Sequence, residues 1–192
     1  MSDISWPISM VKFFVWFFRV IRNKKVMKHI PDGVRMLDIG CGSDFYLLRG
    51  VSGRIKSGTG MDIAVKNHTE KNLTIRKARI GGRLPFKSGS FDTVTMIAFI
   101  EHITNPGKML KECNRVLEKG GKIIITTPMP RARVFWEALV GMGMTEEKTT
   151  KEHVHYFSPE EIEKLLKDAG FRVLLSKKFE FGMNYMAVGK KI

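Results

Sequence analysis

Met36-Leu37-Asp38-Ile39-Gly40-Cys41-Gly42 has the pattern of an apolar strand that runs directly into a Gly-x-Gly turn. In doubly wound α/β folds such a turn lies at the carboxyl edge of the sheet, where ligands bind. Glycine is favoured there because a side chain would hold a ligand away from the backbone, and because tight turns use φ values that are costly for other residues. Many purely structural turns contain the same glycine pair, so this stretch alone leaves a structural role open.

A second strand follows at a spacing that strengthens the case for a ligand site. Residues 58–63 read Gly-Thr-Gly-Met-Asp-Ile and place Asp62 at the end of a strand, 24 residues after Asp38. A carboxylate at that offset can accept both hydroxyl protons of a ribose. A solvated aspartate in a turn is the alternative interpretation.

From residue 34 onward, short apolar runs alternate with amphipathic helical stretches, which is typical of a parallel sheet flanked by helices. The last two β-rich runs are too close for a helical crossover and predict an antiparallel hairpin. The fold class is therefore α/β: a doubly wound, Rossmann-like mixed sheet of seven strands, the last one antiparallel, with an N-terminal helical extension. The predicted strands are residues 34–39, 58–63, 73–76, 91–97, 122–127, 171–175 and 181–188.

Two helices carry clear start signals. Asn105 is expected to cap a helix that begins at Pro106. Ser158 is expected to cap another, with Glu161 completing a capping box and Gly170 ending the helix. Each helix has one apolar face, which predicts burial against the sheet.

The N-terminal segment is unusually aromatic. Residues 6–21 are nearly all apolar, and a basic cluster follows at residues 22–28. Lys12 and Arg19 interrupt an apolar stretch that is already shorter than the roughly 20 residues that a bilayer-spanning helix needs. In a signal peptide the basic residues come before the apolar ones, whereas here they come after. Two interpretations stay open: a helix packed on its own domain, and a helix lying in a membrane interface.

Length, charge and cysteines narrow the class of protein. The 192 residues suffice for one sizeable core, so residues 31–192 are predicted to form one domain, preceded by an amphiphilic segment at residues 1–30. The formal charge of +14 would attract phosphates of nucleic acid or of anionic lipid, unless the basic surface only keeps the protein in solution. Cys41 and Cys113 show no disulfide or zinc spacing, which favours a cytoplasmic setting, with peripheral contact at the inner membrane surface left open.

Five segments, in order along the chain, carry a resemblance to a known family. They read LDIGCG at 37–42, GMDI at 60–63, RLPFKSGSFDTVTMIAFIEHITNP at 83–106, CNRVLEKGGKIIITTP at 113–128 and HVHYFSPEEIEKLLKDAGF at 153–171. Together they resemble the class I S-adenosylmethionine-dependent methyltransferases, in particular the methyltransferase-11-like group. A dinucleotide-binding dehydrogenase is disfavoured, because Leu84-Pro85-Phe86 followed by Ser90-Phe91-Asp92 is typical of the methyltransferases.

The resemblance implies S-adenosyl-L-methionine as the cofactor, and it implies the residues that bind it. The turn after Asp38 is expected to surround the methionine portion, while Asp62 binds the ribose and Ile63 packs on the adenine. Residues 80–82 offer no acidic side chain to the adenine amine, so a contact there must use backbone groups. The implied cofactor-binding residues are Asp38, Gly40, Cys41, Gly42, Asp62, Ile63, Ile80, Gly81, Leu84, Ile97 and Ala98.

The residues that would handle the acceptor are less clearly marked. Related quinone O-methyltransferases carry Glu-x-x-Glu-His after the fourth strand, but here Ala98 replaces the first acid and only Glu101-His102 remains, so no metal is predicted. A hydroxyl acceptor needs a base. His102, His153 and His155 are the candidates, since imidazole titrates near neutral pH. A structural role in their loops is the alternative.

An insertion at residues 128–156 lies where the resembled family builds its acceptor wall, and Phe135 and Trp136 make it apolar. The expected function is methyl transfer, at oxygen, to a small-molecule acceptor or to one linked to a lipid or sugar. RNA methylation is an alternative that the charge favours, but the Asn/Asp-Pro-Pro-Tyr/Phe pattern of the amino methyltransferases is missing. A non-catalytic protein that binds S-adenosylmethionine is a further alternative.

Overall fold

Eight strands form one mixed sheet in the computed structural model, which describes residues 8–132 and 155–192, and of residues 8–15 the backbone alone. In chain order the strands are β1 (Arg35–Ile39), β2 (Ser57–Asp62), β3 (His68–Glu70), β4 (Leu73–Lys77), β5 (Phe91–Ile97), β6 (Leu117–Pro128), β7 (Phe171–Phe179) and β8 (Asn184–Lys191). Their order across the sheet is β3-β4-β2-β1-β5-β6-β8-β7. The central strands β4, β2, β1, β5 and β6 are parallel, and β8 pairs antiparallel with both β6 and β7.

The predicted doubly wound mixed sheet is confirmed, with one strand more than the seven expected. The additional strand, β3, pairs antiparallel with β4 at the edge of the sheet. Lys71, with φ of 54°, makes the tight turn between the two strands. The strand is only three residues long and largely exposed, so it lacks the apolar alternation by which the sequence marks a strand.

The helices are α1 (Ile8–Met27), α2 (Tyr46–Val51), α3 (Pro106–Val116) and α4 (Pro159–Asp168), with a 3₁₀ helix at Ile100–His102. Both predicted caps are confirmed. The Asn105 side chain accepts a hydrogen bond from the Lys108 N–H at 3.0 Å. At the start of α4, the Glu161 N–H donates to Ser158 Oγ at 3.2 Å, and the Ser158 N–H donates to the Glu161 carboxylate at 2.7 Å. These bonds satisfy backbone donors that the first helical turns leave without a partner.

The side chains of the central strands alternate between two core layers. Leu37 and Ile125 pack on the face covered by α3 and α4. Met36 and Ile124 point to the opposite face, where α2 and the end of α1 cover the sheet. Because both faces are buried, the carboxyl edge of the parallel strands is where this sheet can present polar groups to a ligand.

Helix α1 has a packed end and an exposed end. Val26 is fully buried in the second core layer, and Ile30, just beyond the helix, is 2% exposed. In the preceding turns Trp16 and Phe17 are 53% and 42% exposed. Among the residues that the structure describes, no helix is long and apolar enough to cross a membrane.

Candidate functional site

The turn after β1 is fastened to β2 by backbone hydrogen bonds. The N–H groups of Gly40 and Cys41 both donate to the Met61 carbonyl, at 2.8 and 3.2 Å. A Cβ atom on Gly60 would lie 2.9 Å from the Cys41 sulfur, so glycine at this position of β2 lets the Cys41 side chain of the turn pack closely against the strand. Burial raises the pKa of the Cys41 thiol, which makes Cys41 a packing residue at neutral pH and not a nucleophile.

Glycine is needed at the two positions of the turn for different structural reasons. Both have left-handed φ values, 76° at Gly40 and 71° at Gly42. A Cβ atom on Gly40 would lie 2.1 Å from the ring of Phe99, whereas one on Gly42 would meet only ordinary contacts at 3.9 Å. Gly40 therefore admits the aromatic ring that follows β5, and Gly42 is required by backbone conformation alone.

Asp62, at the end of β2, reaches back to the turn. One carboxylate oxygen accepts the Gly42 N–H at 2.9 Å and the other accepts the Ala64 N–H at 2.8 Å. Each oxygen retains capacity for a further hydrogen bond. Ile63 follows it with 56% of its surface exposed. A fixed carboxylate thus lies beside an exposed apolar side chain at the edge of the sheet.

Asp38 lies at the end of β1, buried to 2% exposure. Its carboxylate accepts a hydrogen bond from Thr95 Oγ1 at 2.6 Å. Burial, with a smaller contribution from the charge of Asp62, raises the pKa of Asp38 to about 7. A carboxyl group with this pKa is close to balance between its two protonation states at neutral pH, so a cation placed beside it would favour ionisation.

The chain leaves β5 through a strained residue. Ala98 has φ of 50°, a conformation that alanine rarely adopts, and its N–H donates to the Thr126 carbonyl at 2.9 Å. Ile97 is half-buried against the second core layer. Strain of this kind persists where the surrounding structure holds it, and it is often found at ligand sites. Here it turns Phe99 towards Gly40.

The residues expected near the adenine differ in burial. Ile80 is half-buried against the first core layer, and Gly81 is exposed with open space where a side chain would be. Leu84 is only 3% exposed, and its side chain packs in the core. Its N–H donates to Glu112 at 2.9 Å and its carbonyl accepts from Arg115 at 3.0 Å. Leu84 thus anchors this loop to α3 through its backbone.

The two candidate bases among the described residues lie on different segments. His102, at the end of the 3₁₀ helix, is exposed, with its ring centroid 6.4 Å from that of Phe99. His155 is also exposed and lies 4.4 Å from the ring of Phe157. His102 is therefore the one attached to the segment that contacts Gly40. His153, Phe135, Trp136 and most of the 128–156 insertion lie outside the described residues.

Several site residues were missed by the sequence analysis because their partners are distant in sequence. Arg19 of α1 forms an ion pair with Asp44, just after the glycine turn, and stacks 5.5 Å from the Tyr46 ring centroid. Glu101, which the sequence analysis named beside the candidate base His102, is completely buried, and its burial was not predicted. In the described ranges, no group of three or more His, Cys, Asp or Glu side chains could hold a metal ion.

Comparison with known proteins gives a consistent assignment. A family model described as a methyltransferase domain matches residues 18–176. A ubiquinone biosynthesis O-methyltransferase of Dechloromonas aromatica is 26% identical over 171 residues, which cover 83% of this chain and 72% of that protein. An uncharacterized protein of Methanocaldococcus jannaschii is 32% identical over 149 residues, 76% of this chain and 67% of that protein. The crystal structure of a SAM-dependent methyltransferase from Aquifex aeolicus matches with a TM-score of 0.66 at 20% identity, covering 98% of this chain and 100% of that one.

Proposed function

The chain belongs to the methyltransferase-domain family and is an S-adenosylmethionine-dependent methyltransferase, and from this premise we propose that it methylates an oxygen atom of an amphiphilic acceptor. The acceptor is a small molecule or a group linked to a lipid or sugar. The observation that carries the methyl-donor part of the proposal is the placement of Asp38 and Asp62 together at one glycine turn, with both carboxylates held by hydrogen bonds.

The residues at the turn suit the polar groups of the cofactor. We assign Asp38 to the ammonium group of the methionine portion, because a buried carboxylate gains most from a nearby cation. Asp62 takes the ribose hydroxyls with the lone pairs that the turn leaves free, and Ile63 offers its exposed surface to the adenine. Ile97 and Ala98 line the methionine portion. Bound S-adenosylmethionine supplies an electrophilic methyl group on its sulfonium.

Methyl transfer at oxygen is supported by the relatives named as O-methyltransferases. The displacement is in-line, so the protein's task is to position the acceptor behind the methyl group and to exclude water. A hydroxyl acceptor also loses a proton. We assign the role of the base that removes this proton to His102 in preference to His155, because His102 lies on the segment whose Phe99 packs against Gly40.

A peripheral contact with anionic membrane is the second part of the proposal. Phe181, at the tip of the β7-β8 hairpin, is 95% exposed, and Trp16 and Phe17 of α1 are about half-exposed. The hairpin lies beside α1, since Lys25 Nζ is 5.8 Å from the Phe179 ring centroid. Exposed aromatic side chains next to lysines are what binding at an anionic interface requires, and the net charge of +14 adds to the attraction.

The proposal is tested by incubating the full-length chain with S-adenosylmethionine carrying a labelled methyl group and with separate lipid, glycan and RNA fractions of cells. We expect label in the lipid or glycan fraction, in a product that resists mild acid and base as a methyl ether does. Label in RNA would instead support RNA methylation, which the basic surface favours. Binding of S-adenosylhomocysteine with no label in any fraction would support a non-catalytic role.

A further inference from the structure

A buried polar cluster lies at the carboxyl edge of the sheet, two strands away from the glycine turn. It consists of Arg22 from α1, Glu101 from the 3₁₀ helix, Thr127 from β6, and Glu180 and Asn184 from the hairpin between β7 and β8. Thr127 Oγ1 donates to the Glu101 carboxylate at 3.3 Å, and Asn184 Nδ2 donates to the Glu180 carboxylate at 2.5 Å. We call these five residues the edge cluster.

The edge cluster contains buried polar atoms that have no hydrogen-bond partner among the described residues. Three are acceptors, namely Glu101 Oε1, Glu180 Oε1 and Asn184 Oδ1, and one is a donor, Arg22 Nε. Glu101 is 0% exposed, and Glu180 and Asn184 are each 9% exposed. Buried polar groups are nearly always paired in folded proteins, so four unpaired atoms in one place indicate a site that a polar ligand completes.

The charges of the cluster act on one another without direct contact. Both carboxylates interact electrostatically with Arg22, but neither forms an ion pair with it within the described part of the chain. Burial raises the pKa of Glu101 and of Glu180 and lowers that of Arg22. Arg22 is therefore near enough to both carboxylates to interact with them, while one nitrogen of its guanidinium and one oxygen of each carboxylate remain unpaired among the described residues.

We propose that the edge cluster is the acceptor subsite and that it binds adjacent hydroxyl groups of the acceptor. This inference rests on the proposed function, and it specifies the chemistry of the group that lies next to the methyl donor. Three free acceptor atoms against one free donor demand a ligand rich in hydrogen-bond donors, which disfavours a carboxylate. A protonated amine satisfies the carboxylates but offers nothing to Arg22 Nε. A hydroxyl group donates to a carboxylate and also accepts from the guanidinium, so it satisfies both.

The location agrees with this assignment. Glu101 is three residues beyond the strained Ala98 and two beyond Phe99, whose ring packs against Gly40. Thr127 is at the end of β6, and its neighbour Pro128 pairs with Asn184 at the start of β8. Asp38, Asp62 and the glycine turn occupy the β1-β2 part of the carboxyl edge, and Ile97 and Ala98 lie at the end of β5. The edge cluster extends from the segment after β5 to β6 and β8.

Glu180→Gln provides a test that preserves the shape of the cluster. Asn184 Nδ2 already donates to Glu180 Oε2, so the glutamine keeps its oxygen there and puts its NH₂ group where the unpaired Oε1 was. The substitution thus changes a free acceptor into a donor. Glu101→Gln is the second variant, and Asp168→Asn, an exposed carboxyl on α4, is the matched control.

The assay is calorimetric titration of the full-length chain, saturated with S-adenosylhomocysteine, with three probes built on one ring: catechol, benzylamine, which is protonated at neutral pH, and benzoate. We expect catechol to bind the wild type and the control most tightly. Its affinity should fall roughly tenfold or more in Glu180→Gln and Glu101→Gln, while S-adenosylhomocysteine affinity changes by less than about twofold.

Several results would overturn the inference. They are tighter binding of benzylamine or of benzoate, no preference for catechol, or catechol affinity that both variants retain. Variants that melt at a lower temperature but bind catechol normally would show the cluster to be a structural network completed by water. If catechol behaves as expected but no cell fraction gains label, the subsite stands and the proposed methyl transfer is wrong. If label is transferred but catechol binds both variants as tightly as the wild type, the proposed methyl transfer stands and this inference is wrong.

Discussion

Replacing Asp38 with asparagine is expected to stabilise the protein at pH 8 while weakening its affinity for the cofactor. The Asp38 carboxyl is buried, and burial raises its pKa from 3.8 to about 7. Asparagine has nearly the same shape and can still accept the hydrogen bond from Thr95 Oγ1. It never carries the buried charge, however, and it cannot pair with the ammonium group of the cofactor.

The magnitude follows from the pKa shift. Between about pH 4 and pH 7 the folded chain binds a proton that the unfolded chain has released, so stability falls as pH rises through this window. At 1.36 kcal/mol per unit, the cost of Asp38 above pH 7 is about 4 kcal/mol. The new amide NH₂, if left without an acceptor, would cost about 1 to 3 kcal/mol. A net gain of about 1 to 3 kcal/mol remains for Asp38→Asn at pH 8.

Urea unfolding at pH 5 and pH 8 measures the stability, and calorimetry measures S-adenosylhomocysteine binding. The wild type should lose stability between the two pH values by more than the variant does, because only the wild type titrates Asp38. At pH 8 the variant should unfold at higher urea concentration. Its affinity for S-adenosylhomocysteine should be weaker by roughly tenfold or more, since a charge-assisted hydrogen bond is lost.

The opposite signs of the two effects make the reasoning refutable. A residue that only supports the fold would lose stability and affinity together when it is replaced. If Asp38→Asn is less stable than the wild type at pH 8, the buried charge does not carry the cost assigned to it. If the variant binds S-adenosylhomocysteine as tightly as the wild type, Asp38 does not contact the ammonium group.

Three further outcomes are expected. Asp62→Ala should weaken S-adenosylhomocysteine binding by about 1.5 to 3 kcal/mol in calorimetry, because two ribose hydroxyls lose a charged acceptor; unchanged affinity would remove Asp62 from the site. In urea unfolding, Gly42→Ala should lower the free energy of unfolding by about 1 to 2 kcal/mol, because alanine is strained at a left-handed φ. Gly40→Ala should lower it distinctly more, because its Cβ atom would also overlap the Phe99 ring. Equal losses of stability in the two variants would contradict the contact between Gly40 and Phe99. Phe181→Ser should reduce flotation of the chain with anionic vesicles at low salt and leave the melting temperature unchanged, since the side chain is 95% exposed; equal flotation of both proteins would exclude the hairpin from a membrane contact.

Most of the fold was predictable because most of its strands and helices are marked by short-range signals. The strand at Arg35–Ile39, the capped helix at Pro106–Val116 and the capping box before Pro159–Asp168 all depend on residues within a few positions of one another. The edge strand His68–Glu70 was not predicted, because its polar sequence does not mark it as a strand. It is a strand because it pairs with β4.

The candidate site was predictable only where adjacent parallel strands contribute it. Asp38 and Asp62 end adjacent strands of a parallel sheet, so spacing alone brought them together. The edge cluster combines α1, the 3₁₀ helix and the hairpin, and its members Arg22 and Glu180 are far apart in sequence. No periodicity or motif in the sequence indicates that these residues lie close together. Sequence reasoning therefore singled out exposed His102, while the structure drew attention to its buried neighbour Glu101.

Helix α1 is the element that joins the two halves of the site. Arg19 and Arg22 are three residues apart and therefore share one helix face. Arg19 pairs with Asp44 beside the glycine turn, and Arg22 lies within electrostatic reach of Glu101 and Glu180.

The packed end of α1 holds this face in place through Val26 and Ile30, which are fully or almost fully buried. A truncated chain that starts near residue 31 would lose these core side chains together with both arginines. Its failure to bind vesicles, cofactor or acceptor would then report a damaged core. The membrane contact must therefore be tested by replacing exposed side chains, such as those of Trp16 and Phe17, which lie outside the packed end of the helix.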